Sequence, residues 1–211
     1  MGLSFCVLPS DAVEDNLEGE PAAEMVVRLS RAKAMALEHR AAGRLIIAAD
    51  TTVALDGRVL GKPNDSPDAE RMLRQLRGRT HTVYSGLTLL DSASGRAQTA
   101  LIESRVQMRR YSDPEIATYV ASGDPLDKAG SYAIQYSAFR PVSRIVGCYA
   151  NVMGFPLCHL YCLLRDFGVV LASTPRQACN RFNGRRCRVA DQILSEHCGE
   201  LTSSAAAQPL S

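Results

Sequence analysis

Between residues 22 and 42 the apolar positions Val26, Leu29, Ala36 and Leu37 recur at helical spacing, and Gly43 supplies a stop. Lys33 falls inside that stripe, seven residues after Val26. A lysine there either snorkels to the rim or points into a cleft to meet an anionic ligand. The rhythm then changes. Residues 45–49 form an apolar strand that ends on Asp50, and Asp56-Gly57 between VAL and RVL marks a two-residue hairpin. Ser66-Pro67 opens a helix through Leu76 that Gly78 ends. Residues 80–90 and 97–108 are β-rich runs joined by DSASG, predicted as antiparallel neighbours. Ser112 with Glu115 predicts a capped helix ending at Gly123.

At the front, residues 3–7 read as a strand, and residues 9–21 as an acidic loop with Asp11, Glu14, Asp15, Glu18 and Glu20. Further on, a charged turn from Asp124 to Lys128 precedes a short strand ending in Gln135. Residues 139–147 predict another strand, and 152–167 a final helix stopped by Gly168. The pattern dissolves beyond Ala172, apart from a weak amphipathic stretch at 189–194. Residues 171–211 are therefore expected to be a basic, mostly disordered tail behind a single domain spanning 1–170.

A chain of 211 residues with 46% hydrophobic and 22% charged residues has the composition of a soluble globular protein. No apolar run approaches bilayer length, which excludes a membrane partner of the spanning kind. The opening MGLSFCVLPSDAVED lacks the basic flank and apolar core of a secretory signal, so a cytoplasmic location is expected. The seven cysteines are odd in number and lack CxxC spacing, which predicts reduced thiols and no structural metal. Cys158 and Cys162, one turn apart around His159, are expected to be buried thiols. Of the basic residues, five Arg lie in the tail against three acids, leaving 19 basic and 19 acidic residues before it. That balance argues against nucleic acid as the main partner and for a small substrate.

Candidate chemistry gathers around Asp50. An Asp at a strand end presents a negative charge where open α/β folds keep their ligand crevices. Lys62, in the Gly-Lys-Pro corner that follows, can fold back toward it, so the two suggest a site for an anion whose charge is shared with a metal. The plainer alternative is a strand-end Asp that caps the next turn. The polar segment ending at Gln135 would supply a second edge to the same pocket.

Seven blocks in order, PSDAVE, RAKA, AADTTV, LGKP, LRGRTHTVYSG, SGDPLDKAGSYAIQ and VGCYANVMGFPL, make the chain resemble the Maf family of nucleoside triphosphate pyrophosphatases from residue 3 to about 168. The resemblance implies an α/β, two-lobed, ITPase-like fold, with a mixed sheet, flanking helices and a central cleft. It implies hydrolysis between the α and β phosphates of a nucleotide, and a homodimer as a candidate assembly. It assigns Glu14, Lys33, Asp50 and Lys62 to catalysis, with Asp50 as proton acceptor and Glu14 and Asp50 as ligands of Mg²⁺ or Mn²⁺. Thr51 and Gln135 match the specificity positions of the branch acting on dTTP and UTP, and Asp127 and Lys128 are further cleft candidates. A Gln amide offers both donor and acceptor to a pyrimidine edge.

Three departures stand beside these matches. The family's Ser-x-Ser-Pro-Arg-Arg turn, an anion-binding device at a helix N-terminus, does not appear in this sequence, and one of its arginines belongs to the specificity set. The expected explanation is a true start upstream of Met1, the alternative a shortened, catalytically impaired nucleotide-binding regulator of growth or division. Val13 replaces an acidic residue that commonly precedes the loop Glu, and Tyr136 replaces the Gly that usually follows the Gln.

Overall fold

The computed structural model describes residues 1–198 except Asn16 and Arg185. The chain divides into two compact units, one running Ser10–Pro156, the other made of Met1–Pro9 and the chain from Leu157 onward.

The first unit is α/β, as the sequence predicts. Helix α1 is Ala22–Ala36; strands β1 (Leu45–Leu55), β2 (Arg58–Leu60), β3 (Thr80–Asp91), β4 (Ala97–Met108) and β5 (Val142–Val146) form one sheet in the order β2-β1-β3-β4-β5. Every pairing is antiparallel, which corrects the expected mixed sheet within the same α/β class. The β1–β2 hairpin turns on Asp56 (φ 51°) and Gly57 (φ 77°), the left-handed pair that a two-residue turn needs. Helices α2 (Ser66–Leu76) and α3 (Asp113–Ala121) begin with side-chain caps from Asp65 and Ser112. They enclose a core of Val53, Leu55, Leu73, Val83, Val106, Tyr111 and Ile116. On α1, Met25, Val26 and Leu29 form a cluster flanked by Tyr84, while Ala34 joins one with Ile46, Ala48 and Leu90.

Gly86 sets how closely α1 approaches the sheet. A Cβ at this position would lie 2.1 Å from the carbonyl oxygen of Val26, so only glycine admits the helix backbone there. Ser30 and Thr88, in hydrogen-bond contact at 2.9 Å, fix the same crossing.

Several elements differ from their sequence expectation. β1 does not end at Asp50: it continues through Thr51 and Thr52 to Leu55, because β3 pairs with it on both sides of the acid. Residues 3–7 form no strand; Phe5 and Val7 are strongly exposed, and the run has no ladder partner among the described residues. The helix expected at 22–42 gives way to turns after Ala36, although Leu37 and Ala41 remain buried. Instead of a strand ending at Gln135, two short 3₁₀ turns cover Asp124–Asp127 and Ala129–Ser131, with Gly130 at φ 69°. The final helix is split into α4 (Tyr149–Val152) and α5 (Leu157–Asp166) by Gly154, at φ 95°, and Pro156.

In the second unit α5 is joined by α6 (Pro175–Asn183) and α7 (Ala190–His197). The expected disordered tail is thus ordered in part: Thr174 and Gln177 form a capping box around Pro175, and Gly184 ends α6. The remainder of that tail, 199–211, lies outside the described residues. The expectation of reduced cysteines is corrected for one pair, Cys162 and Cys198, which form a disulfide across 36 positions. Cys162 lies on the buried face of α5, and the end of α7 brings Cys198 to it. No helix among the described residues is long and apolar enough to cross a membrane.

Candidate active site

The site is built where α1 crosses β1. Lys33, near the C-terminal end of α1, donates a hydrogen bond to Asp50 Oδ1 at 2.7 Å, and its Nζ lies 3.0 Å from Glu14 Oε1. Asp50 is opposite Gly86 in the ladder, on the residue pair over which the helix backbone passes, so the close approach of α1 also delivers the lysine. The Lys33 and Asp50 side chains are largely enclosed, at 19% and 11% exposure, whereas that of Glu14 is 55% exposed. Burial pulls the Lys33 ammonium toward its neutral form, but the hydrogen bonds and charges of Asp50 and then Glu14 outweigh it, and the net shift is upward. Lys33 therefore neither snorkels into water nor waits unpaired; it joins two carboxylates of its own chain.

Thr51, the next residue on β1, faces the opposite side of the sheet because strand side chains alternate. Its hydroxyl lies 2.7 Å from Ser85 Oγ and 3.4 Å from the carbonyl of Gly154. Beside it Asn151 is fully buried and donates to the Val83 carbonyl and to Ser104 Oγ, which anchors α4 over β3 and β4.

Asp50 pairs with Lys33 and not with Lys62, which is exposed and acts on Asp127 in the charged turn at 124–128. Gly130 N–H donates to the Gly61 carbonyl at 3.0 Å, which ties that turn to the Gly-Lys-Pro corner. Lys128 bonds Asp127 at 2.7 Å and lies 3.4 Å from Asp124. The Asp127 carboxyl is held below its usual range by Lys128 first, and less strongly by Lys62. Gln135 is exposed, four residues past Ser131.

Glu14, Lys33 and Asp50 thus form one cluster, Lys62, Asp127 and Lys128 a second, and Thr51 a third with Ser85 and Gly154. Sequence reasoning did not single out Ser85, Gly86 or Gly154, although all three fall inside the matched blocks. It also passed over Arg28 as the partner of Glu20, because an arginine eight residues after a loop acid is too common to stand out.

Glu14 and Asp50 are hard oxygen donors that already converge on one cation, the Lys33 ammonium. Among the described residues no group of three His, Cys, Asp or Glu side chains gathers as a metal cage. Two carboxylates suit a small divalent ion whose remaining positions are filled by water and phosphate oxygens, the usual mode for Mg²⁺. His81, by contrast, is structural: its Nε2 is 2.7 Å from the Tyr132 hydroxyl, and burial lowers its pKa to about 4.

The antiparallel sheet, the crossing helix and the two acids on one lysine define an α/β protein with a charged site on the helix-bearing face of its sheet. The chain belongs to the Maf family, whose model, described as Maf-like protein, matches residues 1–167. It is 43% identical over 169 residues to a dTTP/UTP pyrophosphatase of Geotalea uraniireducens, covering 80% of this chain and 87% of that protein. The dTTP/UTP pyrophosphatases of Pelotomaculum thermopropionicum and Anaeromyxobacter dehalogenans are each 44% identical, over 168 and 173 residues. The alignments cover 80% and 81% of this chain, and 88% and 87% of those relatives.

Proposed function

We propose that this chain is a nucleoside triphosphate pyrophosphatase that opens the α–β phosphoanhydride of dTTP and UTP, giving the monophosphate and pyrophosphate. The observation that carries this reading is the convergence of Glu14 and Asp50 on Lys33 Nζ in a chain so similar to dTTP/UTP pyrophosphatases.

Asp50 is the proton acceptor. Lys33 holds Oδ1, which fixes the carboxylate's orientation and leaves the second oxygen to take a proton from an attacking water. Glu14 and Asp50 would hold Mg²⁺ or Mn²⁺, which when bound offsets triphosphate charge and polarises the attacked phosphate. Lys62 and Lys128 add positive charge for the leaving pyrophosphate. Gln135 selects the base by pairing its amide with the carbonyl and ring N–H of a pyrimidine. Thr51 contributes to selection from the far face, where its hydroxyl steadies Gly154. The same activity extends to other nucleoside triphosphates, including non-canonical ones, at lower efficiency.

The test is a product assay on the full chain with dTTP, UTP, CTP, GTP and 7-methyl-GTP, with Mg²⁺ or Mn²⁺. Monophosphate and pyrophosphate in equal amounts, fastest from dTTP and UTP, are expected. Orthophosphate with a diphosphate product, or nucleotide binding without turnover, would contradict the proposal.

A further inference from the structure

The loop that carries Glu14 has little structure of its own. Among the described residues between Ser10 and Pro21 no helix or strand is formed, and the backbone hydrogen bond within them runs from Glu20 N–H to the Leu17 carbonyl at 3.2 Å. Glu14 is more than half exposed, and one ion pair to Lys33, open to solvent on the Glu14 side, is too weak to fix an irregular loop in one place. What fastens the loop is Arg28. Its Nε and Nη2 donate to the two oxygens of Glu20, each at 2.6 Å, in the parallel fork that guanidinium and carboxylate favour. The same Nη2 reaches the carbonyl of Asp15, the residue after Glu14, at 2.9 Å. On the other side of Glu14, Asp11 pairs with Arg40 at 3.1 Å between strongly exposed side chains, a looser tie. Arg28 and Lys33 share α1, so the helix sets the distance between the clamp and the site.

We propose that Arg28 is a positioning residue for Glu14: with Glu20 it closes the acidic loop onto α1, and so sets the affinity for the divalent cation that Glu14 and Asp50 hold. This rests on the reading of those two acids as metal ligands. Arg28 bonds Glu20 and the Asp15 carbonyl rather than Glu14 itself, so its contribution is a Glu14 carboxylate already in place when the cation arrives. Partners that orient metal ligands commonly change affinity by 10- to 100-fold, and a clamp acting through one exposed ligand belongs at the low end.

The experiment titrates Mn²⁺ into the full chain without nucleotide, following the free ion by electron paramagnetic resonance, and records thermal unfolding in parallel. Arg28→Ala should raise the Mn²⁺ Kd on the order of tenfold while Tm moves little. Glu20→Gln, which keeps one acceptor but loses the charge, should shift it the same way by less. In a Glu14→Gln background, Arg28→Ala should add nothing, because the ligand it positions is gone. Unchanged Mn²⁺ affinity in both Arg28→Ala and Glu20→Gln would overturn the proposal, as would an undiminished Arg28→Ala effect in the Glu14→Gln background. A Glu14→Gln protein that binds Mn²⁺ like the wild type would instead remove the ligand role of Glu14, and the inference with it.

Discussion

The two compact units are stabilised by different means. In Ser10–Pro156 a five-stranded sheet and its helices bury large side chains, among them Leu73, Leu76, Tyr111, Ile116 and Tyr119, all at 2% exposure or less. In the unit containing α5, α6 and α7, the buried residues of α6 are Pro175 and Cys179, and of α7 Ala190 alone, while Phe182 is 76% exposed. α5 itself buries Leu160, Leu163 and Leu164, but for α7, where burial is thin, the Cys162–Cys198 bond substitutes for packing. The sites of proposed chemistry, Glu14, Lys33, Asp50, Lys62 and Gln135, all lie in the sheet-based unit, where α1 and β1 hold Lys33 and Asp50 in register and the other three sit on connecting segments.

The largest stability effect is expected at the covalent tie. Closing a 36-position loop removes chain entropy worth about 4 kcal/mol, so Cys162→Ser or reduction by a dithiol should release α7. Hydrogen exchange should then rise through Ala190–His197 while β1 and β3 keep their protection; equal loss in both regions would break the contrast between the units. Next is Gly86→Ala. Its Cβ would meet the Val26 carbonyl at 2.1 Å, so α1 must lift from the sheet at a cost of about 3 kcal/mol. Denaturant unfolding measures that cost. Because the shift also draws Lys33 from Asp50, turnover should fall with it, and a variant of wild-type stability and turnover would show that the close approach does not matter.

How much of this was legible in the chain depended on whether a signal was local. The hairpin at Asp56-Gly57 and the Ser112–Glu115 cap were readable because a few adjacent residues decide them. Antiparallel pairing was expected for the β1–β2 hairpin and for β3 with β4 but not between β1 and β3, since register comes from pairing between distant segments. Asp50 looked like a strand end because the polar run Asp-Thr-Thr interrupts the apolar residues. In the sheet those residues alternate faces, and threonine suits a strand, so the ladder runs on. The disulfide was hidden because an odd count of scattered cysteines gives no pairing. The α6 cap, Thr174 with Gln177 and Pro175, was visible in principle but masked by the polar composition of the tail. Lys33 in an apolar stripe was the most informative single anomaly, although neither sequence reading of it named its two carboxylate partners.

The central claim, that Asp50 takes the proton of the attacking water, is tested most directly by pyrophosphate release from dTTP by Asp50→Asn, with circular dichroism confirming an intact fold. The amide keeps the shape of the side chain but is not a base, so the rate should fall on the order of 10² to 10⁴. Turnover within a few-fold of the wild type would contradict the assignment.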